Sequence, residues 1–170
     1  VGKSTIIEKV KDRLQNKYRK EVVLLRHRPG ILPILSAIKH GRKGAEHIAS
    51  VSMPRKGKNT NLLSSIMRFA YYFTDYMFGQ VYVYFKYVLK GKIVVYDRYY
   101  FDFINDSKRS NIELNRDFVK VLYGFVFKPK LNFFLYADAE TILARKQEME
   151  APEIDRLTLL YKQLFGQMSN

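Results

Sequence analysis

The sequence predicts an α/β domain: a parallel sheet flanked by helices. Three observations carry that expectation. Short apolar runs at 21–25, 92–96 and 131–136 alternate with segments of helical period. The run Ile93-Val94-Val95 is continuously apolar, as a parallel strand covered on both faces is. The chain opens on Val1-Gly2-Lys3-Ser4-Thr5, a Gly-Lys-Ser step that leads straight into a helical pattern.

That opening leaves no room for a preceding strand, so the sheet's first strand is expected to be missing and the chain reads as a fragment. From Ser4 to Tyr18, Ile6, Ile7, Val10 and Leu14 recur at helical spacing with Glu8, Lys11 and Arg13 between them. Glu21 to Leu25 is a short strand rich in β-branched residues, and Pro29-Gly30 forces a turn after it. Ile31 to Ile38 reads as a short helix. Gly41 to Asn59, with Gly, Lys and Arg and little periodicity, reads as a loop. Leu62 to Leu89 is a long helical pattern with a bend expected near Gly79 and an end at Gly91. Lys92 to Tyr96 is the buried parallel strand. Leu114 to Phe127 is helical until Pro129, and Leu131 to Tyr136 is the next strand. Asp138 suits the N-cap of a helix from Ala139 to Gln147. Pro152 interrupts, and Ile154 to Phe165 is helical again. One domain accounts for all 170 residues, with no repeat and no low-complexity tract.

Composition narrows the chemistry. At 47% hydrophobic the chain has enough apolar side chains for a packed core. It has no cysteine, which excludes disulfides, zinc-cysteine sites and a thiol nucleophile, and which fits a reducing, cytoplasmic setting. The net charge of +14 favours anionic partners: nucleotides, nucleic acid or an acidic membrane surface. A Lys-rich solvated surface explains the same excess. The most apolar stretch, Ile66 to Val95, is broken by Arg68, Asp75, Lys86, Lys90 and Lys92, so no membrane span is expected. Its aromatic run from Tyr71 to Tyr87 is expected to serve mostly as core, with Tyr72 facing a pocket.

Two short motifs carry the functional reading. Gly2-Lys3-Ser4-Thr5 matches the end of the phosphate-loop pattern G-x-x-x-x-G-K-[ST]. In that pattern backbone amides at a helix start face the phosphates of ATP, Lys3 reaches the β- and γ-phosphates, and the Ser4 hydroxyl ligates Mg²⁺. An ordinary Gly–Ser helix start is the alternative. Asp97 and Arg98 follow directly on the apolar strand, and ligands of open parallel sheets collect at the carboxyl ends of strands. Asp97 is then a candidate for Mg²⁺ and Arg98 for a phosphate. The alternative is a solvated pair ending a strand. His27, His40 and His47 lack metal-ligand spacing and read as surface or hydrogen-bonded residues. The basic residues from Arg42 to Lys58 fit an exposed loop, a cover on an anionic substrate, or a nucleic-acid patch.

Tyr96-Asp97-Arg98-Tyr99 resembles the Asp-Arg-Tyr/His signature of thymidylate kinases, a family of P-loop nucleoside-monophosphate kinases. Arg28-Pro29-Gly30 resembles their Glu-Pro-Gly turn with Glu replaced by Arg. The run Phe69 to Asp75 resembles the helix that holds the base, and Pro129 to Tyr136 the later strand. Arg145-Lys146 and Asp155-Arg156 fall where the arginine-bearing lid lies. The resemblance spans nearly the whole chain through short motifs. It implies transfer of the γ-phosphoryl of ATP to a nucleoside monophosphate, thymidylate first. Arg98 would hold the acceptor phosphate, Tyr72 would stack on the base, and Lys3, Arg145 and Arg156 would gather around the transferring group. Arg28, Arg68, Tyr76 and Phe103 would line the acceptor site. The family is commonly dimeric. Two departures bear on the acceptor: Tyr76 stands where the family has an arginine that reads thymine, and Phe103 and Asp106 stand where it has sugar and base contacts. The alternatives are a kinase for another small metabolite, a P-loop protein that binds nucleotide without catalysis, and a basic nucleic-acid-binding protein.

Overall fold

The computed structural model describes residues 2–33, 61–144 and 149–168. The expected helix at 31–38, the basic loop, His40, His47, Arg145 and Lys146 therefore lie wholly or mostly outside the described residues. Helix α1 covers Lys3–Asn16 and leads into strand β1, Val22–Leu25. Helix α2 covers Leu62–Val83 and passes into one π-helical turn, Tyr84–Val88. Strand β2 is Ile93–Tyr96. Helix α3, Phe101–Asn105, and a 3-10 turn, Ser107–Ser110, precede helix α4, Arg116–Leu122, which ends in a second 3-10 turn, Tyr123–Phe125. Helix α5 is Ala139–Leu143 and helix α6 is Ala151–Met168.

The architecture is mixed α/β, with a small parallel sheet flanked by helices. Its two strands run in register from Val22 opposite Ile93 to Leu25 opposite Tyr96. Parallel strands need a long connection between them, and α2 lies in it. Asn61 starts α2 by accepting hydrogen bonds from the amides of Leu63 and Ser64 at 3.0 and 3.4 Å. Ser65, Phe69, Tyr76 and Val83 recur at helical spacing on its buried face, with Asp75, Gly79 and Gln80 beside them. At φ +73, Gly91 turns the chain from the π turn into β2.

The core is aromatic and lies off the sheet, among α2, α3, α4 and α6. Tyr76, Tyr99, Tyr100 and Phe103 meet edge to face at its centre, with Tyr123 stacked on Tyr100 and Leu164 closing it from α6. By contrast, α1 has no buried residue.

Several expectations are corrected. Gly79 lies inside α2 and serves for close approach: a Cβ there would stand 2.5 Å from the Pro29 Cβ. Leu131–Tyr136 is not a strand, because no described strand lies beside it to form a ladder. The segment is held through Phe134, which stacks on Tyr161 at 5.2 Å and lies 5.6 Å from Phe165, while Leu131 and Phe133 stay exposed. Pro152 begins α6 rather than interrupting it, since the first helical turn has amides with no intrahelical partner to lose. The aromatic run 71–87 gives the core only Tyr72, Phe73 and Tyr76, while Phe78, Tyr82, Tyr84 and Phe85 are exposed.

Candidate functional site

Register brings two turns together. The Asp97 amide donates to the Leu25 carbonyl at 2.9 Å, so the segments following β1 and β2 leave the sheet side by side. The start of α1 is the third component. Gly2 is left-handed (φ 79), and the first helical hydrogen bond runs from the Ile6 amide to the Gly2 carbonyl at 2.9 Å. The amides of Lys3, Ser4 and Thr5 therefore precede the helix's own ladder, and no side chain caps them. The helix dipole adds partial positive charge at the same point. The Lys3 ammonium reaches across to β2: its Nζ lies 2.5 Å from Asp97 Oδ1 as an ion pair, outside hydrogen-bonding geometry for that oxygen, and donates to the Asp97 carbonyl at 3.2 Å. Both side chains are partly exposed, although the paired Oδ1 of Asp97 is itself buried. Ser4 and Thr5 are exposed on the first turn.

Beside Asp97, Arg98 is half-buried, and its guanidinium faces Asp102 on α3 at 3.8 Å. Asp102 also accepts from the Tyr161 hydroxyl at 2.7 Å. Burial pushes the Tyr161 phenol far above its ordinary range, and Asp102 adds to that, so Tyr161 remains a protonated donor.

The turn after β1 is built around a buried ion pair. Arg28 donates to Asp75 Oδ2 at 2.7 Å, with side-chain exposures of 7% and 0%. The same carboxylate accepts from the Gly30 amide at 3.1 Å and the Leu32 amide at 2.9 Å. Three donors compensate the desolvated charge, as a buried carboxylate requires. Asp75 thus fastens the turn to α2. Tyr76, fully buried one residue on, donates its hydroxyl to the His27 carbonyl, and burial pushes its pKa well above the ordinary range. His27 is left-handed at φ 68, its ring tilts against Phe103 at 5.6 Å, and its buried Nδ1 has no partner. Burial lowers its pKa. The Asp102 carboxylate opposes that shift, while Arg98, Arg28 and Arg109 add to it.

The structure gathers Gly2, Lys3, Asp97 and Arg98 at the carboxyl end of the sheet, with the Arg28 turn beside them. It does not gather all the expected residues. Tyr76 and Phe103 are core side chains with no surface to offer a ligand. Tyr72 has Phe103 stacked at 6.0 Å and the Arg28 guanidinium 5.1 Å from its ring centre, so its π surface already has partners. Arg68 lines an open groove of about 460 Å³ at the start of α2, with Asn61, Leu63, Ser64, Met67 and Tyr71. Arg156 gives two nitrogens to Glu153, at 2.9 and 2.8 Å. By spacing His27 is only a surface or hydrogen-bonded residue, and its place between Arg26 and Arg28 directly after β1 is the one signal of its position beside the site.

A bound MgATP fits this donor set in part. The three amides and Lys3 suit phosphate oxygens, and the partly exposed Asp97 suits a hydrated magnesium ion. Among the described residues no three His, Asp or Glu side chains converge to hold a metal by themselves, so the ion would have to be shared with phosphate. No family model, curated protein or solved structure matches this chain.

Proposed function

We propose that this chain carries the catalytic part of a P-loop kinase that moves the γ-phosphoryl group of ATP to a small phosphate-bearing acceptor, with a nucleoside monophosphate such as thymidylate as the first candidate. The observation that supports this best is Lys3. It lies at the start of α1, behind a left-handed glycine, and is ion-paired at 2.5 Å with a carboxylate 94 residues away at the end of a parallel strand.

Bound MgATP supplies the phosphoryl group and the charge of its metal. With MgATP bound, Lys3 would exchange Asp97 for phosphate oxygens, and the freed Asp97 carboxylate would help hold the hydrated magnesium ion. The amides of residues 3–5 orient the phosphate chain without reorganising. Arg98, on the adjacent residue, holds the acceptor phosphate, and Asp102 with Tyr161 keeps its guanidinium aimed. A phosphate acceptor is already ionised, so no general base is asked of the protein; positioning and charge do the work.

A second reading is favoured by Tyr72. Its ring is engaged by Phe103 and Arg28, so the acceptor would be a phosphate-bearing metabolite that needs no base stack. ADP release by the full chain, with MgATP and a panel of nucleoside monophosphates and sugar phosphates, separates the two. ADP with thymidylate supports the first, and ADP with a sugar phosphate alone supports the second. ATP binding without ADP from any acceptor removes both in favour of a binding protein.

A further inference from the structure

The outer face of α2 and its π turn is apolar where a surface helix should be polar. Phe78, Val81, Tyr82, Phe85, Val88 and Leu89 are 71, 41, 45, 62, 43 and 57% exposed. They recur at three- and four-residue spacing, so they form one strip. With roughly 150–200 Å² for a fully exposed large side chain, the strip presents about 500 Å² of apolar surface, the size that marks an interaction site on a monomer.

Charge decides what covers it. Between Asn61 and Lys92 the sole carboxylate is Asp75, which is buried and spent on Arg28 and two amides. The cations of this stretch are Arg68, Lys86, Lys90 and Lys92. Lys92 is paired with Glu21. The Lys86 ammonium sits 4.8 and 5.3 Å from the ring centres of Tyr82 and Tyr87, at the strip's own edge. Parallel packing of two copies strip on strip would set Lys86 and Lys90 against their own counterparts, and antiparallel packing would leave them with no exposed carboxylate on the stretch to pair them, with +14 on each chain. An apolar strip ending in tyrosine and lysine fits the boundary of a lipid bilayer, where rings lie at headgroup depth and ammonium groups meet lipid phosphates and carboxylates.

We propose that this face rests on an anionic membrane surface, with Phe78 and Phe85 inserted and Lys86 and Lys90 at the headgroups. No helix among the described residues is long and apolar enough to cross a membrane, so the contact is in the plane of the interface.

The test is co-sedimentation of the full chain with vesicles of about 30% phosphatidylserine in phosphatidylcholine at about 0.1 M salt, against phosphatidylcholine alone. Binding should be at least about tenfold stronger to the anionic vesicles and should fall as salt rises. Phe78→Glu with Phe85→Glu should remove it, with circular dichroism unchanged because both side chains lie outside the core. Lys86→Ala and Lys90→Ala, which leave the strip intact, should each weaken binding about fivefold. The proposal is overturned by equal binding to both vesicle types or by no binding. It is also overturned by binding that survives either set of substitutions, and by a dimer in sedimentation velocity that the glutamates dissociate.

Discussion

Asp75→Asn should cost the fold about 3–5 kcal/mol, the range for removing one partner of a buried ion pair. The substitution keeps the shape of the side chain and removes its charge. Arg28, 7% exposed, would then hold an uncompensated charge. The new amide group would also turn a donor toward the Arg28 guanidinium and the Gly30 amide, or toward the Leu32 amide, all of them donors. A domain of this size has about 5–15 kcal/mol in hand, so the variant should stay folded with a much lower denaturation midpoint. Urea titration followed by circular dichroism reads the loss. A cycle with Arg28→Met locates it: the double variant should be less destabilised than the sum of the singles by about 2–3 kcal/mol. A loss below about 1 kcal/mol for Asp75→Asn is what an exposed pair gives, and would show that the turn is not clamped through this carboxylate.

Lys3→Ala should lower turnover at least about a hundredfold, measured as ADP release at saturating ATP; unchanged turnover removes the phosphate-loop assignment. Arg98→Ala should raise the acceptor KM more than about tenfold and leave the ATP KM within about twofold; a change confined to ATP would mean that Arg98 serves the other substrate. His27 makes stability depend on pH. The unfolded chain titrates near the ordinary value of 6.5 and the folded one lower, so between the two values the unfolded state binds more protons. The His27 contribution is complete above about 6.5 and is lost as pH falls through that window. His27→Gln should flatten melting temperature against pH there, and identical curves for both proteins would refute the assignment.

What the sequence made readable was local or strongly periodic. Gly2-Lys3-Ser4 at a helix onset and Asp97-Arg98 at the end of an apolar strand could each be placed from neighbours along the chain, and one crossover brings them together. The division of labour among aromatics could not be read this way. Tyr72 and Tyr76 are one helical turn apart and both point inward; which ring reaches a cavity depends on how α3 packs, and α3 puts Phe103 against both. Leu131–Tyr136 has strand composition, yet a strand exists only beside another strand, and composition says nothing of neighbours. Along the chain Arg28 is a candidate for the acceptor site, and its buried pairing is not legible there because its partner, Asp75, is 47 residues away.

The fastening of the β1 turn to α2 also decides when that turn can move. Pro29 lies against the helix where Gly79 has no side chain, and Asp75, one helical turn away, holds two of the turn's amides. In hydrogen exchange, the Gly30 and Leu32 amides should therefore be released only when α2 opens. Residues that look like a loop along the chain belong to the helix's cooperative unit, and a ligand that orders the turn would slow exchange along α2 as well.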